Sequence, residues 1–202
     1  MSCDGPNAEG ISTSVSARGV HNDDGFQAVL KVNNGASITP DLVVAIQLSA
    51  VGADEMYITQ ESSCTVGGIW EPFRVFKQWT LHNANSVNFF YVKFRNSQRE
   101  SDCVFASIEH DSVAPTLVLN TPVDGSTVVN SAVLELVGAC SEDALITIKV
   151  NSLASYTTSC VSRAWTKSID ITALPRGSFT IQLKAIDQVM NASSAQNFIY
   201  IK

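Results

Sequence analysis

The chain has 202 residues, 45% of them hydrophobic, and a formal net charge of −6. That length suits two domains of about 100 residues each, and so apolar a composition excludes a disordered chain. No basic patch of the kind a nucleic-acid binder carries is visible, and no apolar run approaches the roughly 18 residues needed to cross a bilayer.

The first 24 residues are polar, with Cys3 and the acidic turn HNDDG (21–25) as their main features, and read as a tail. No hydrophobic signal core opens it, so an exported protein is expected here in mature or trimmed form. From residue 25 onward the chain reads as strands. Residues 42–48 (LVVAIQL) are apolar and β-branched, and 88–95 (NFFYVKFR) are aromatic and alternating. Residues 133–137, 146–150 and 179–185 repeat the theme. Turn signals fall between them at Asn34-Gly35, Gly67-Gly68, Asp124-Gly125 and Pro175-Arg176-Gly177. No stretch carries a helical apolar stripe of ordinary length. Short strands at regular spacing predict sandwiches or barrels, an all-β fold.

The stretch CTVGGIWEPFRVFKQWT (64–80) places Trp70, Phe73, Phe76 and Trp79 within ten residues. Strand alternation divides such residues between two faces. Trp79 and Leu81 are expected to point inward. Trp70 follows two glycines and precedes Glu71-Pro72, which is loop chemistry. Trp70 and Phe73 then either cap the end of a sandwich or form a ligand platform. In 88–95, Phe90, Val92 and Phe94 share a uniformly apolar face expected in the core. Phe89, Tyr91, Lys93 and Arg95 share the other, where Phe89 and Tyr91 are candidates for an interface patch. The candidate aromatic surface is therefore Trp70, Phe73, Phe89 and Tyr91.

Residues 34–58 align with 124–148 without a gap at an offset of about ninety, Val44 and Ile46 matching Leu134 and Leu136. A period that long suits two copies of one domain. The boundary is expected within HDSVAPT (110–116), where Ala114 before Pro115 favours an extended link. Two domains follow, 25–111 and 112–202.

The second half carries Leu174, Gly177, Phe179, Ile181, Ala185, Asp187 and Asn191 in the order of the "L-x-x-G-x-Y-x-I-x-x-x-A-x-D-x-x-G-N" pattern. It resembles bacterial immunoglobulin-like repeats, and departs from them with Met190 where glycine is usual. The first half resembles a sister repeat of surface proteins and fibres of Gram-negative bacteria. It departs at Asn96-Ser97-Gln98, where an Asp and a Gly-Asn pair are common. The resemblance implies two tandem immunoglobulin-like β-sandwiches and says little of function.

Five cysteines, at 3, 64, 103, 140 and 160, include no C-x-x-C, so neither a zinc ribbon nor a thioredoxin-type motif is expected. Separated cysteines in β-rich sequence fit disulfides in an oxidising compartment. Pairing within each repeat gives Cys64–Cys103 and Cys140–Cys160; the second pair falls where the resembled repeats often place cysteines. Cys3 is left over. SCDGPN resembles the start of a mature bacterial lipoprotein, with a lipid on Cys3 as membrane anchor; the alternative is a free thiol in a tail.

His21, His82 and His110 stand apart without ligand spacing and read as surface or turn residues. HNDDG and the acidic pairs 54–55 and 142–143 lack the spacing of a calcium loop. No P-loop, dinucleotide or Gly-x-Ser-x-Gly motif appears. No catalytic residue, metal site or cofactor is expected. The sequence is read as a non-catalytic exported bacterial surface or periplasmic module for adhesion, recognition or spacing, with a protein or glycan partner on a cell surface. The alternatives are a segment of a trimeric fibre, which makes the chain a homo-oligomer, and a glycan-binding accessory module of an enzyme.

Overall fold

The computed structural model describes residues 25–128, 132–151 and 154–202; the expected tail at 1–24, with Cys3 and His21, lies outside the described residues. Among the described residues, every regular element but a three-residue 3-10 turn at Asn33–Gly35 is a strand. The chain divides between Asp111 and Ser112 into two units, each with its own apolar core.

The first unit contains β1 (Val29–Val32), β2 (Ile38–Thr39), β3 (Val43–Ser49), β4 (Glu55–Thr59), β5 (Trp70–Pro72), β6 (Phe76–Thr80), β7 (Val87–Arg95) and β8 (Val104–His110). They form a sheet ordered β1-β3-β6 and a sheet ordered β2-β8-β7-β4-β5. All neighbours are antiparallel except β2, which runs parallel to β8. Alternation sends Val44, Ile46 and Leu48 of β3 and Phe90, Val92 and Phe94 of β7 into the core between the sheets. Burying side chains of this size stabilises by roughly 1.5–3 kcal/mol each.

The second unit contains β9 (Leu117–Thr121), β10 (Val133–Cys140), β11 (Ala144–Val150), β12 (Ala154–Cys160), β13 (Ala164–Asp170), β14 (Ser178–Ile186) and β15 (Gln196–Ile201). Its sheets are ordered β13-β10-β9 and β12-β11-β14-β15. A parallel bridge from Thr127 to Ile201 stands where β2 pairs with β8 in the first unit. The registers also repeat. Val44 faces Trp79 where Leu134 faces Ile169, and Ile58 faces Val92 where Ile148 faces Leu183. Each unit is thus an immunoglobulin-like sandwich. In both, the strand that follows β4 or β11, namely β5 or β12, pairs beside it in the larger sheet, rather than crossing to the opposite sheet as the corresponding strand does in constant-type domains.

The turn after β14 shows how closely the units correspond. The buried Asp187 accepts backbone N–H bonds from Val189 and Asn191 (2.8 and 2.9 Å). Ser193 then accepts from the Ala185 N–H (2.8 Å) and donates its own N–H back to the Ala185 carbonyl (2.9 Å). In the first unit Asn96 accepts from Gln98 and Arg99 (3.0 and 3.1 Å). Ser101 makes the same two bonds to Phe94 (2.9 and 2.8 Å). An amide oxygen replaces the carboxylate, and the turn is one residue shorter. Met190, at the position where the resembled repeats carry glycine, has φ +73°, the left-handed region that glycine enters without steric cost.

Two sequence expectations are corrected. Trp70 is not a loop residue: it opens β5, paired with Tyr57, in an edge strand too short to show a period. His110 is neither surface nor turn: it ends β8, buried, with Nδ1 accepting the Asn85 N–H at 2.9 Å. That N–H satisfies the ring nitrogen's need for a partner inside the sandwich.

A candidate recognition face on the first unit

In the sheet β2-β8-β7-β4-β5, the side chains that do not enter the core form the outer face. Register places Tyr57 beside both Trp70 and Lys93, and Tyr91 beside Phe105. The connection from β4 to β5 folds back over part of this face. Cys64, buried and at φ +56°, is bonded to Cys103, with Cα atoms 6.2 Å apart, within the usual disulfide range. Beneath this strap Tyr57 and Thr59 are buried although they point outward. The Tyr57 hydroxyl accepts the Gly68 N–H at 3.0 Å, and the Thr59 hydroxyl donates to the Val66 carbonyl at 2.8 Å. Gly68 lies so close that a Cβ there would meet the Ile58 carbonyl at 2.5 Å and the Tyr57 ring at 2.9 Å. The Gly67-Gly68 pair is therefore where the strap touches down on the sheet.

The four candidate aromatic residues are separated by the structure. The Trp70 ring lies 5.5 Å from Tyr57, and the Arg95 guanidinium sits 4.2 Å from its centroid, a cation–π contact. Trp70 is engaged by its neighbours and anchors the end of the strap. Phe73 turns the other way, its ring edge-on to the core residue Phe94 at 5.9 Å. Phe89 and Tyr91 stay on the outer face, where they are joined by Phe105, a residue that the sequence alone does not single out. Phe89 is 44% exposed and Phe105 55%. The Tyr91 and Phe105 rings lie 6.1 Å apart, tilted by 32°. The signal for Phe105 is its place in VFASIEH, whose alternation matches that of β7; only the pairing register puts it beside Tyr91.

Charges on this face close on each other. Arg95 Nε donates to Glu55 at 2.6 Å and Lys93 Nζ to Glu100 at 3.0 Å. The Arg95 hydrogen bond holds the Glu55 carboxyl below its ordinary value, and Glu55 raises that of Arg95. Trp79 faces inward as expected and is partly buried, edge-on to Phe90 at 6.0 Å. It floors a cleft of 390 Å³ together with Ile58, Gly68 and Ile69. The Lys77–Glu71 ion pair lines that cleft, and Lys77 lies 5.4 Å from the Trp79 ring. The cleft's polar groups are thus committed to one another.

The second disulfide joins Cys140 at the end of β10 to Cys160 at the end of β12, Cα atoms 6.4 Å apart. Both bridges are the pairs expected within each repeat, and neither disulfide links the units.

Solved structures of repeated β-domains align with 86% of this chain. The fibronectin(III)-like modules of Clostridium thermocellum CbhA are 12% identical, covered over 93% of their chain, at a TM-score of 0.44. A two-domain fibronectin type III segment of chicken tenascin is 6% identical, covered over 98%, at 0.37. A tetra-tandem repeat from the extending region of a large adhesion protein is 12% identical, covered over 49%, at 0.39. No family model matches the chain, the bacterial immunoglobulin-like repeats included, and no curated protein matches it.

Proposed function

We propose that this chain is a non-catalytic tandem module of an exported protein, in which the first sandwich presents a recognition face and the second acts as a spacer. One observation carries the reading. At equivalent positions of one scaffold, the first unit pairs Tyr91 with Phe105 and the second pairs Gln182 with Asn197. The amides hydrogen-bond at 3.1 Å and the fold is unchanged. The scaffold therefore does not require exposed rings there, and exposed rings cost solubility unless something uses them. Export is supported by two intra-unit disulfides, which persist in oxidising compartments. A surface or periplasmic location and a protein or glycan partner belong to this proposal.

The experiment is a solid-phase binding screen of the full chain on immobilised matrix proteins and glycans, with the Tyr91→Gln/Phe105→Asn double variant beside it. The reading requires at least one target that the wild type binds and the double variant does not. Equal binding by both everywhere, or turnover in a glycosidase and esterase screen abolished by a single substitution, overturns it.

A further inference from the structure

Resting on that reading, we infer that the Phe89–Tyr91–Phe105 platform binds a neutral, unbranched polysaccharide of equatorially linked hexopyranoses. Ring geometry is the first support. The Tyr91 and Phe105 ring centroids lie 6.1 Å apart with their planes tilted by 32°, a spacing about the length of one such sugar. Phe89 lies two residues along β7 from Tyr91, where it faces Ser107, so Tyr91 has one ring beside it across the strands and a second along its own strand. Equatorially linked pyranoses present flat faces of axial C–H groups, and the electron-rich face of an aromatic ring attracts such partially positive hydrogens. Two neighbouring rings at that spacing stack two successive flat units of a linear chain.

The charges point the same way. Lys93 and Arg95, the cations beside the rings, are each bonded to a carboxylate of the same face. An anionic glycan would have to displace Glu100 or Glu55 to reach them. A neutral chain leaves both pairs intact and uses the Tyr91 and Ser107 hydroxyls for its own. The area is the third support. Three aromatic side chains of about 150–250 Å² each, Phe89 and Phe105 near half exposure and Tyr91 partly buried, offer at most roughly 300 Å², far below the about 800 Å² per partner of a stable protein pair. Two or three stacked sugars cover it.

The second unit supplies a control that keeps the fold. Tyr91→Gln/Phe105→Asn copies the pair Gln182 and Asn197, which the same register already accommodates. The full chain and this double variant are run by affinity electrophoresis through gels containing hydroxyethylcellulose, linear glucomannan or polygalacturonate, and over immobilised gelatin. Circular dichroism melts verify folding. The expected result is retardation of the wild type by a neutral polysaccharide, weakened at least tenfold in the double variant, with polygalacturonate giving none. Aromatic-dependent binding to polygalacturonate or gelatin instead overturns the neutral-glycan inference and leaves the recognition face standing. Absence of retardation by either neutral polymer overturns the inference. Retardation equal in both proteins overturns inference and recognition face together. If the double variant melts early, Phe89→Thr, which copies Thr180 of the second unit, is read in its place with the same criteria.

Discussion

The two units share strand order and register yet differ on the outer face of the larger sheet. Position by position, Tyr57, Trp70, Tyr91 and Phe105 in the first stand where Thr147, Thr157, Gln182 and Asn197 stand in the second. The inner faces stay apolar in both. Charge divides likewise: residues 112–202 hold six acidic and six basic side chains, so the net −6 belongs to the residues before them. Burial fixes what points inward; the outward positions are free to vary. The first unit adds a strap and aromatic rings there; the second carries no ring at those positions, only amides and hydroxyls beside exposed aliphatic residues such as Leu145 and Ile199.

The cores differ in where they place tryptophan, and this gives the largest expected effect. Trp165 is 3% exposed and lies against Gly138, where a Cβ would meet its ring at 2.5 Å. Trp79 is only partly buried, and Trp70 lies on the outer face. Trp165→Ala should cost about 3–5 kcal/mol and unfold the second unit first. Trp79→Ala should cost less, in the first unit, and Trp70→Ala least. Hydrogen exchange followed by mass spectrometry assigns each loss to its unit. A larger loss for Trp70 than for Trp79 would place the weight of the first unit on its outer face.

The disulfides come next. Cys64–Cys103 spans 39 residues and Cys140–Cys160 spans 20. Replacing either pair by serine should cost about 2–4 kcal/mol; doubling the loop adds only about 0.6 kcal/mol to the chain-entropy part. The difference lies in what is released. Without the first bridge, residues 60–69 should exchange freely while the β7 core stays protected. Without the second, β12 should loosen. Protection of 60–69 unchanged after loss of Cys64 would mean that the hydrogen bonds from Tyr57 and Thr59 hold the strap alone.

Much of this was legible in the sequence because alternation is a direct image of burial. NFFYVKFR divided correctly into core and outer residues, and the offset of ninety between the halves is the offset of the structural registers. Trp70 and Phe73 were not legible. Both lie at an edge strand of three residues, where the chain leaves a strap whose path depends on Cys103 almost forty residues away. Phe105 could be assigned a face but not a neighbour, since register is a tertiary property. His110 was hidden because its acceptor is satisfied by a backbone N–H from another turn.

Alkaline pH should separate the units. The Tyr200 hydroxyl donates to the Pro122 carbonyl at 3.0 Å. Burial, with Asp124 nearby, pushes the Tyr200 phenol up to about 12. A raised value means the folded state resists ionisation. The contribution is complete below the ordinary tyrosine value of about 10 and is lost as pH rises from there to about 12. The second unit should therefore melt progressively lower across that window, and Tyr200→Phe should flatten the slope at a cost of about 1 kcal/mol near neutrality. On the acid side, Glu55 contributes above its ordinary value, and that part is lost as pH falls through its depressed folded value. An alkaline slope unchanged in Tyr200→Phe would assign the loss to another group.

The smallest effect tests the correspondence of the turns most sharply. Met190 holds φ +73° and donates its N–H to the Asp187 carbonyl at 3.3 Å, with its side chain exposed. A side chain in that region costs about 1–2 kcal/mol. Glycine removes this cost but gives the unfolded chain extra freedom worth about 0.4–1 kcal/mol. Met190→Gly should therefore stabilise the second unit by roughly 0.5 kcal/mol, which raises its melting temperature by a few degrees. The shorter turn of the first unit has no residue with positive φ between Asn96 and Arg99. Gln98→Gly there relieves nothing and should destabilise by about 0.4–1 kcal/mol. Opposite signs from one chemical change in two matching turns would tie the effect to backbone conformation. The same sign in both would mean that the extra residue in the second turn, rather than the φ of Met190, sets its stability.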